Sequence, residues 1–333
     1  MELRRILSNK FECVARSLVS HLPYSGQKEL DAVERDLFEQ YRLSPDETPL
    51  VFILASPRTG STMLYQMMAK YLLLHYFSNY VVEHFSHHPF IGTVLERGLK
   101  DKIDTRAIPL SSEYGTTRGK YSPNEASEIF ENWFDWGHPS EIKSARITNG
   151  RRDHMLNTLS GISCFSEKPI VIKNAWNCFR VQELVSLFPA SHFIWLKRDI
   201  VNSSYSTLLA RKTQGDPGKV WNSASPFNYD EIRRRPYIEQ VVEQHYWTNH
   251  AIESALKEYV PEEKSMTIWY EDIVSTPEES LAKISENIGV GYQRDLDFSD
   301  VGKKTSPPRR NNEGSDFDGI KLYASEHYPN LMR

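Results

Sequence analysis

Residues 56–62, Ser-Pro-Arg-Thr-Gly-Ser-Thr, put a cation, a glycine and several hydroxyls directly after the apolar run Leu50–Ala55. A strand that turns and runs on into a helix presents backbone N–H groups and the positive end of a helix dipole to an anion, which is how phosphate oxygens are cradled. Laid over the phosphate-loop pattern G-x-x-x-x-G-K-[ST], the segment from Ala55 to Thr62 keeps Gly60 and the Thr62 hydroxyl. It puts Ala55 at the first glycine and Ser61 where the lysine belongs. The cation is Arg58, inside the loop. A nucleoside triphosphate needs that lysine across its β and γ phosphates, together with a magnesium ion. A ligand with no γ-phosphate and no metal needs neither.

From Pro57 to Thr62 the loop resembles, position by position, the P-[KR]-[ST]-G-[ST]-[ST] segment with which sulfotransferases bind the 5′-phosphosulfate of 3′-phosphoadenosine 5′-phosphosulfate (PAPS). The resemblance implies cofactor contacts from Pro57, Arg58, Thr59, Gly60, Ser61 and Thr62. It also implies a second site, an arginine at a strand end followed by a serine, which together hold the 3′-phosphate. Arg198 and Ser206, eight residues apart in "RDIVNSSYS", supply that pair. The stretch "WYEDIVSTPEESLAKISENIGV" resembles the family's late strand and helix, which implies that Tyr270 lies near the adenine. The product implied is adenosine 3′,5′-bisphosphate, and no metal is required.

In-line sulfuryl transfer needs both reacting oxygens positioned, charge on the bridging oxygen offset and a proton removed. Arg58 stands at the family's catalytic lysine or arginine, and Lys173, at the end of the acceptor-side strand, is a candidate contact to the transferred group. The cytosolic branch continues that strand as K-T-H, with the histidine as base. Here it reads Lys173-Asn174-Ala175, so that base is absent. A carboxylate serves in other branches, which leaves Glu83, Glu125 and Glu128 as candidates, with Glu125 resembling the acidic motif most and His84 still open. The neighbours His84, His87 and His88 lack the cysteine or carboxylate spacing of a zinc site and read as a solvated loop.

These residues need a scaffold of strands alternating with helices. Runs at 50–55, 169–173, 192–196 and 266–270 read as strands, the first buried on both faces because it is continuously apolar. Leu64, Met67, Met68, Tyr71 and Leu72 share one face of the helix after the loop, and Val181, Leu184, Val185 and Phe188 one face of another. Thr276 with Glu279 predicts a capping box, with Pro277 at the first helical position, ahead of a buried face of Leu281, Ile284 and Ile288. The expected fold is α/β and three-layered, a central parallel sheet of P-loop, nucleotide-kinase-like topology with helices on both faces. The expected organisation is an N-terminal helical extension (1–47) and a sulfotransferase domain (48–300) with an acceptor-pocket insertion around 75–165. A C-terminal segment (301–333) follows, whose "GKKTSPPRRNN" is either a basic tail or a loop closing over the cofactor. Polar stretches near 100–125, 212–236 and 300–320 read as long loops.

A chain of 333 residues, 39% hydrophobic, can bury a large core, and a net charge of −4 offers no global basic field for nucleic acid. Three scattered cysteines make neither a disulfide framework nor a zinc pattern and fit a reducing compartment, and no apolar run is long and uninterrupted enough for a membrane. The chain reads as cytoplasmic, acting on a small-molecule acceptor. The aromatic-rich "ENWFDWGHP" and "VWNSASPFNYD" suggest a pocket for an apolar or sugar-like one. Two other readings share the fold. A small-molecule or nucleotide kinase would need a lysine at position 61 and a strand-end aspartate for magnesium, and a non-catalytic nucleotide-binding protein would need no base.

Overall fold

The computed structural model of the protein describes residues 27–99, 108, 112–113, 116–134, 147–293, 298 and 314–333. Its strands are β1 Leu50–Ala55, β2 Ser112–Glu113, β3 Thr116–Thr117, β4 Ile170–Lys173, β5 His192–Lys197 and β6 Ser265–Trp269. The helices used below are, in chain order, α1 Gln27–Gln40, α2 Ser61–Tyr71, α3 Asn79–Phe85, α4 Pro89–Leu99, α5 Ser127–Trp133, α6 Asn149–Ser166, α7 Val181–Leu187, α8 Ile200–Gln214, α9 Tyr229–Ile232, α10 Tyr237–Tyr259, α11 Tyr270–Ser275, α12 Pro277–Ile288 and α13 Ser315–His327.

Four strands form a sheet in the order β4-β1-β5-β6, every pairing parallel. His75 adds an extended segment outside β4: its N–H donates to the Pro169 carbonyl at 2.8 Å and its carbonyl accepts from Val171 at 2.9 Å. The chain thus leaves β1, crosses to the β4 side, and returns past β1 to β5. That reversal makes the carboxyl end of β1 a topological switch point, where open α/β sheets bind their ligands.

Alternation along the strands builds two cores. Leu50, Phe52 and Leu54 join Ile172 and Phe193 on one face, against residues of α5, α6, α7 and α10. Val51 and Ile53 join Ile194 and Leu196 on the other, under Leu64, Met67, Met68 and Leu72 and the α12 residues Leu281, Ile284 and Ile288. Each such side chain, taken fully out of water, contributes about 1.5–3 kcal/mol, so both helices are held chiefly by their apolar stripes. The expected three-layer parallel architecture is therefore the one observed. Strand bounds shift by a residue or so, β6 running 265–269 rather than 266–270.

Two local expectations, the Thr276 cap and the loop at 300–320, fail for physical reasons. Pro277 opens α12, but Thr276 makes no capping bond; its hydroxyl donates at 3.2 Å to the Asp272 carbonyl of α11, so the side chain closes the preceding helix instead. Part of the polar stretch at 300–320 is helical from Ser315, because Phe317, Ile320 and Ala324 form a stripe that meets Ile200, Leu208 and Val242. Of the aromatics assigned to an acceptor pocket, Phe227 is exposed and meets Trp247 edge-on, while others pack inward. Trp133 and Phe134 belong to the first core, and Trp221 meets Tyr229 edge-on beneath the Arg211 guanidinium. Residues 301–313, including the candidate closing loop, and residues 1–26 of the N-terminal extension lie outside the described residues.

Glu243 on α10 fastens α13 to this frame. Its carboxylate is buried and accepts from Arg235 Nη1 at 3.0 Å, Tyr323 Oη and Tyr328 Oη each at 2.7 Å, and Trp247 Nε1 at 2.8 Å. Burial, and then the bond to Glu243, raise both tyrosine pKa values. Glu243→Ala takes a shared acceptor from four donors, although Arg235 keeps its pair with Glu231, and the expected cost is about 1–3 kcal/mol. Urea denaturation measures the loss, with hydrogen exchange across 315–327 reporting release of α13; an unshifted midpoint contradicts this role for Glu243.

Candidate active site

All four parallel strands deliver polar residues to the same edge: Ser56–Gly60 after β1, Lys173 and Asn174 at the end of β4, Arg198 after β5, and Tyr270 after β6. The β1 loop is sharply bent. Arg58 and Gly60 have φ of 58° and 91°, and Thr59 Oγ1 donates to the Ser56 carbonyl at 2.9 Å across the bend. Gly60 is required there twice over. A Cβ on it would meet Tyr270 Cδ2 at 2.4 Å, and its positive φ is one that side chains resist. The loop leads straight into α2, whose first N–H groups have no intrahelical acceptor.

Arg198 completes this corner. Its Nη1 donates to the Arg58 carbonyl at 2.8 Å, and its guanidinium lies over the Tyr270 ring, 4.4 Å from the centroid. Its Nε is buried and lacks a hydrogen-bond partner among the described residues. Ser206 faces the same place from α8 and accepts from Arg58 Nε at 3.2 Å. Two clusters read separately from the sequence, Pro57–Thr62 and Arg198 with Ser206 and Tyr270, thus meet at one corner. Arg58 Nε reaches toward Ser206 of α8.

A second corner forms at β4. Lys173 is buried and ion-paired with Glu125, and Asn174 Nδ2 donates to the Glu125 carbonyl at 3.1 Å. The segment carrying Glu125 is fixed by Asn124, whose side chain bonds Asn79 Oδ1 at 2.7 Å and accepts from the Ala126 N–H at 2.8 Å. Tyr65 of α2 donates to the Asn124 carbonyl at 3.2 Å, and its phenol pKa is raised well above the ordinary value by burial first, then by Tyr76 and Glu125. Cys178, donating to the Ala55 carbonyl, has its thiol pushed up to about 11 by burial, which makes it a packing residue rather than a nucleophile.

Of the other candidates, Glu83 and His84 are exposed on α3, where His84 packs against Tyr80; neither hydrogen-bonds to Lys173, Glu125 or the loop among the described residues. Glu128 is exposed on α5. The histidine cluster is no uniformly solvated loop, since His88 is buried and pairs with Asp31 of α1 at 2.8 Å. The strand-end position where a kinase would carry its magnesium aspartate holds Asp199. Its oxygens accept instead from the Asn202 N–H at 2.8 Å and the Arg333 N–H at 2.9 Å.

Sequence reasoning passed over Tyr65, Asn79, Asn124 and His245. None belongs to a short motif, and only helical period marks Tyr65 and His245 as inward-facing. His245, buried on α10, bonds the loop's Ser56 Oγ through Nδ1 and Thr207 Oγ1 through Nε2, each at 2.9 Å.

A parallel sheet with a sharply bent loop at its switch point, held by Arg198 from the next strand, defines an α/β protein of P-loop-like fold. A model of the sulfotransferase family matches residues 49–294, and the chain belongs to that family. Among solved structures, sulfotransferase STF1 from Mycobacterium tuberculosis H37Rv aligns at 13% identity and a TM-score of 0.51, over 89% of this chain and 81% of that one. Sulfotransferase STF9 from Mycobacterium avium aligns at 13% identity and a TM-score of 0.50, over 90% and 73%. At such identity the likeness speaks to the fold. A search of curated proteins gives no match. Among the described residues no helix is long and apolar enough to cross a membrane.

Gly60→Ala forces both the backbone and the Tyr270 ring. It is expected to cost about 1–3 kcal/mol of stability. Tyr270→Ala in the same chain is expected to restore part of this, because the clash goes while the unfavourable φ stays. Chemical denaturation of the single and double variants checks it; no recovery at all would place the ring elsewhere.

Proposed function

We propose that the chain transfers a sulfuryl group from PAPS to a hydroxyl or amine of a small-molecule acceptor. The observation that carries this reading is the convergence of Arg198, Ser206 and Tyr270 on the Arg58–Gly60 bend, beside the Lys173–Glu125 pair. PAPS supplies an activated sulfuryl group whose sulfur–oxygen bond to the 5′-phosphate breaks as the acceptor's bond to sulfur forms.

In this reading the α2 N-terminus and the loop N–H groups of Arg58–Thr62 hold the 5′-phosphate end, with Pro57 setting the entry of the loop, and Arg58 offsets the charge that the leaving oxygen keeps with its electron pair. Arg198 and Ser206 hold the 3′-phosphate; the buried, unpartnered Arg198 Nε is a donor suited to an anion, which supports that fit. Tyr270 offers a ring face near the base. Glu125 takes the acceptor's proton through Oε2, since Oε1 is engaged by Lys173 and no described residue bonds Oε2. Lys173 orients that carboxylate and stands where it can contact the transferred group. Glu83 and His84, the other candidate bases, are less favoured because nothing ties them to this corner. The acceptor class and a cytoplasmic setting remain part of this proposal, as do the domain bounds 48–300 and 301–333. So does closure of the cofactor site by the segment around 302–312.

Calorimetry with adenosine 3′,5′-bisphosphate is expected to give binding that does not depend on magnesium, and absence of binding would sink the reading. With labelled PAPS and an acceptor found in a metabolite extract, Glu125→Gln is expected to lower kcat by roughly 10²–10⁴-fold with PAPS affinity little changed. Glu83→Gln and Glu128→Gln serve as controls. Full activity in Glu125→Gln with loss in Glu83→Gln would move the base to α3. Arg198→Ala is expected to weaken adenosine 3′,5′-bisphosphate far more than adenosine 5′-monophosphate, and equal weakening would separate Arg198 from the 3′-phosphate.

A further inference from the structure

We propose that His245 is a positioning residue that couples the two phosphate-binding regions, tying Ser56 of the β1 loop to Thr207 of α8 through its two ring nitrogens. The proposal rests on the PAPS reading given above. His245 lies on the face of α10 turned toward β1 and α8, 189 residues from Ser56 and 38 from Thr207 in sequence, yet within 2.9 Å of both hydroxyls. All three residues are buried.

The bonds assign the tautomer. Thr207 Oγ1 donates to the Ser203 carbonyl at 3.0 Å, so its one proton is engaged and it accepts from His245. His245 therefore carries its proton on Nε2 and accepts the Ser56 hydroxyl proton at Nδ1. The chain of donors runs from Ser56 to His245 to Thr207 to the α8 backbone, one turn from the start of that helix and next to Ser206. A neutral imidazole is the side chain that accepts on one side and donates on the other at fixed separation. Burial, followed by the nearby Arg211 and Arg198 charges, lowers the pKa of this ring to about 3 and keeps it neutral. A second tie between the same two regions, Arg198 Nη1 to the Arg58 carbonyl, crosses at the ligand side. His245 acts from behind, where no ligand competes for it.

The consequence is a chelate effect. A nucleotide with phosphates at both ends gains from the second phosphate only if the loop and α8 are held at a fixed separation. A purely structural role for His245 would weaken all nucleotides alike. A coupling role lowers the advantage of the doubly phosphorylated one.

The experiment reads the ratio of Kd for adenosine 5′-monophosphate to Kd for adenosine 3′,5′-bisphosphate, by calorimetry on the full chain. Thr207→Val removes the hydroxyl acceptor, leaving only the Ser203 carbonyl beside the ring, and keeps the shape; it is expected to lower the ratio about tenfold, within the usual range of coupling between sites. Ser56→Ala cuts the other end and is expected to do the same, so a variant that fails to fold does not stop the test. Thr207→Ser, which keeps the hydroxyl, is expected to stay near the wild-type ratio. The double variant is expected to fall no further than the larger single effect, because both sever one chain of bonds. An unchanged ratio in folded Thr207→Val and Ser56→Ala overturns the coupling and leaves the PAPS reading intact. A wild-type protein that binds neither nucleotide, or does not distinguish them, overturns that reading and the coupling with it.

Discussion

Arg58 and Gly60 hold the chain after β1 in left-handed backbone, at φ of 58° and 91°, and for a residue with a side chain that conformation costs roughly 1–2 kcal/mol. The bend persists because neighbouring elements hold it. The bond from Arg198 Nη1 to the Arg58 carbonyl is charge-assisted, and bonds of that kind contribute about 1.5–3 kcal/mol, enough to offset the strain alone. The Tyr270 ring closes the space above Gly60, and Thr59 bonds back to Ser56. Strand β1 therefore ends in a fixed bend only because β5 and β6 end beside it. The sheet order, rather than the loop sequence by itself, makes the site.

That dependence explains what was legible from the chain alone. Strand β1 announces itself because burial on both faces demands unbroken apolar sequence, and the α2 stripe follows from a 3.6-residue period. The loop and the Arg198–Ser206 pair were readable because fixed spacing on a strand end or helix places side chains predictably. Long-range partners carry no such spacing. Nothing near His245 in sequence reveals Ser56, and the Asn79–Asn124 clasp that sets Glu125 beside Lys173 joins two segments in a region where motifs are sparse. Misreadings share one cause. Trp133 and Phe134 look like pocket aromatics in a polar stretch, but aromatic side chains go first to the core when a helix face is available. At Thr276, competition between two helix ends decided the hydroxyl's partner.

Charge is arranged locally, as a chain with net charge of −4 requires for an anion site. At the β5 corner Arg198 donates to a carbonyl, which leaves its positive charge uncompensated by that bond. At the β4 corner Lys173 already faces a carboxylate. The first corner therefore presents cations, while the second presents a charge-balanced pair. The division between corners follows from which strand ends in which residue, and so again from topology.

The α13 region meets the site through contacts of unequal weight. The Arg333–Asp272 pair, at 2.7 Å, lies at the surface, where solvent screening leaves it little weight. Buried Glu243, with its four half-buried donors, and the apolar stripe through Ile320 and Ala324 decide whether α13 docks at all. Once it is docked, the Arg333 N–H bonds the Asp199 carboxylate that also caps α8, and a cap is worth about 1 kcal/mol to its helix. Asp199 directly follows Arg198, and its own N–H donates to Glu271 next to Tyr270. Docking of α13 therefore acts on the Arg198 corner through the start of α8, and a defect at Glu243 should reach Arg198 by that route.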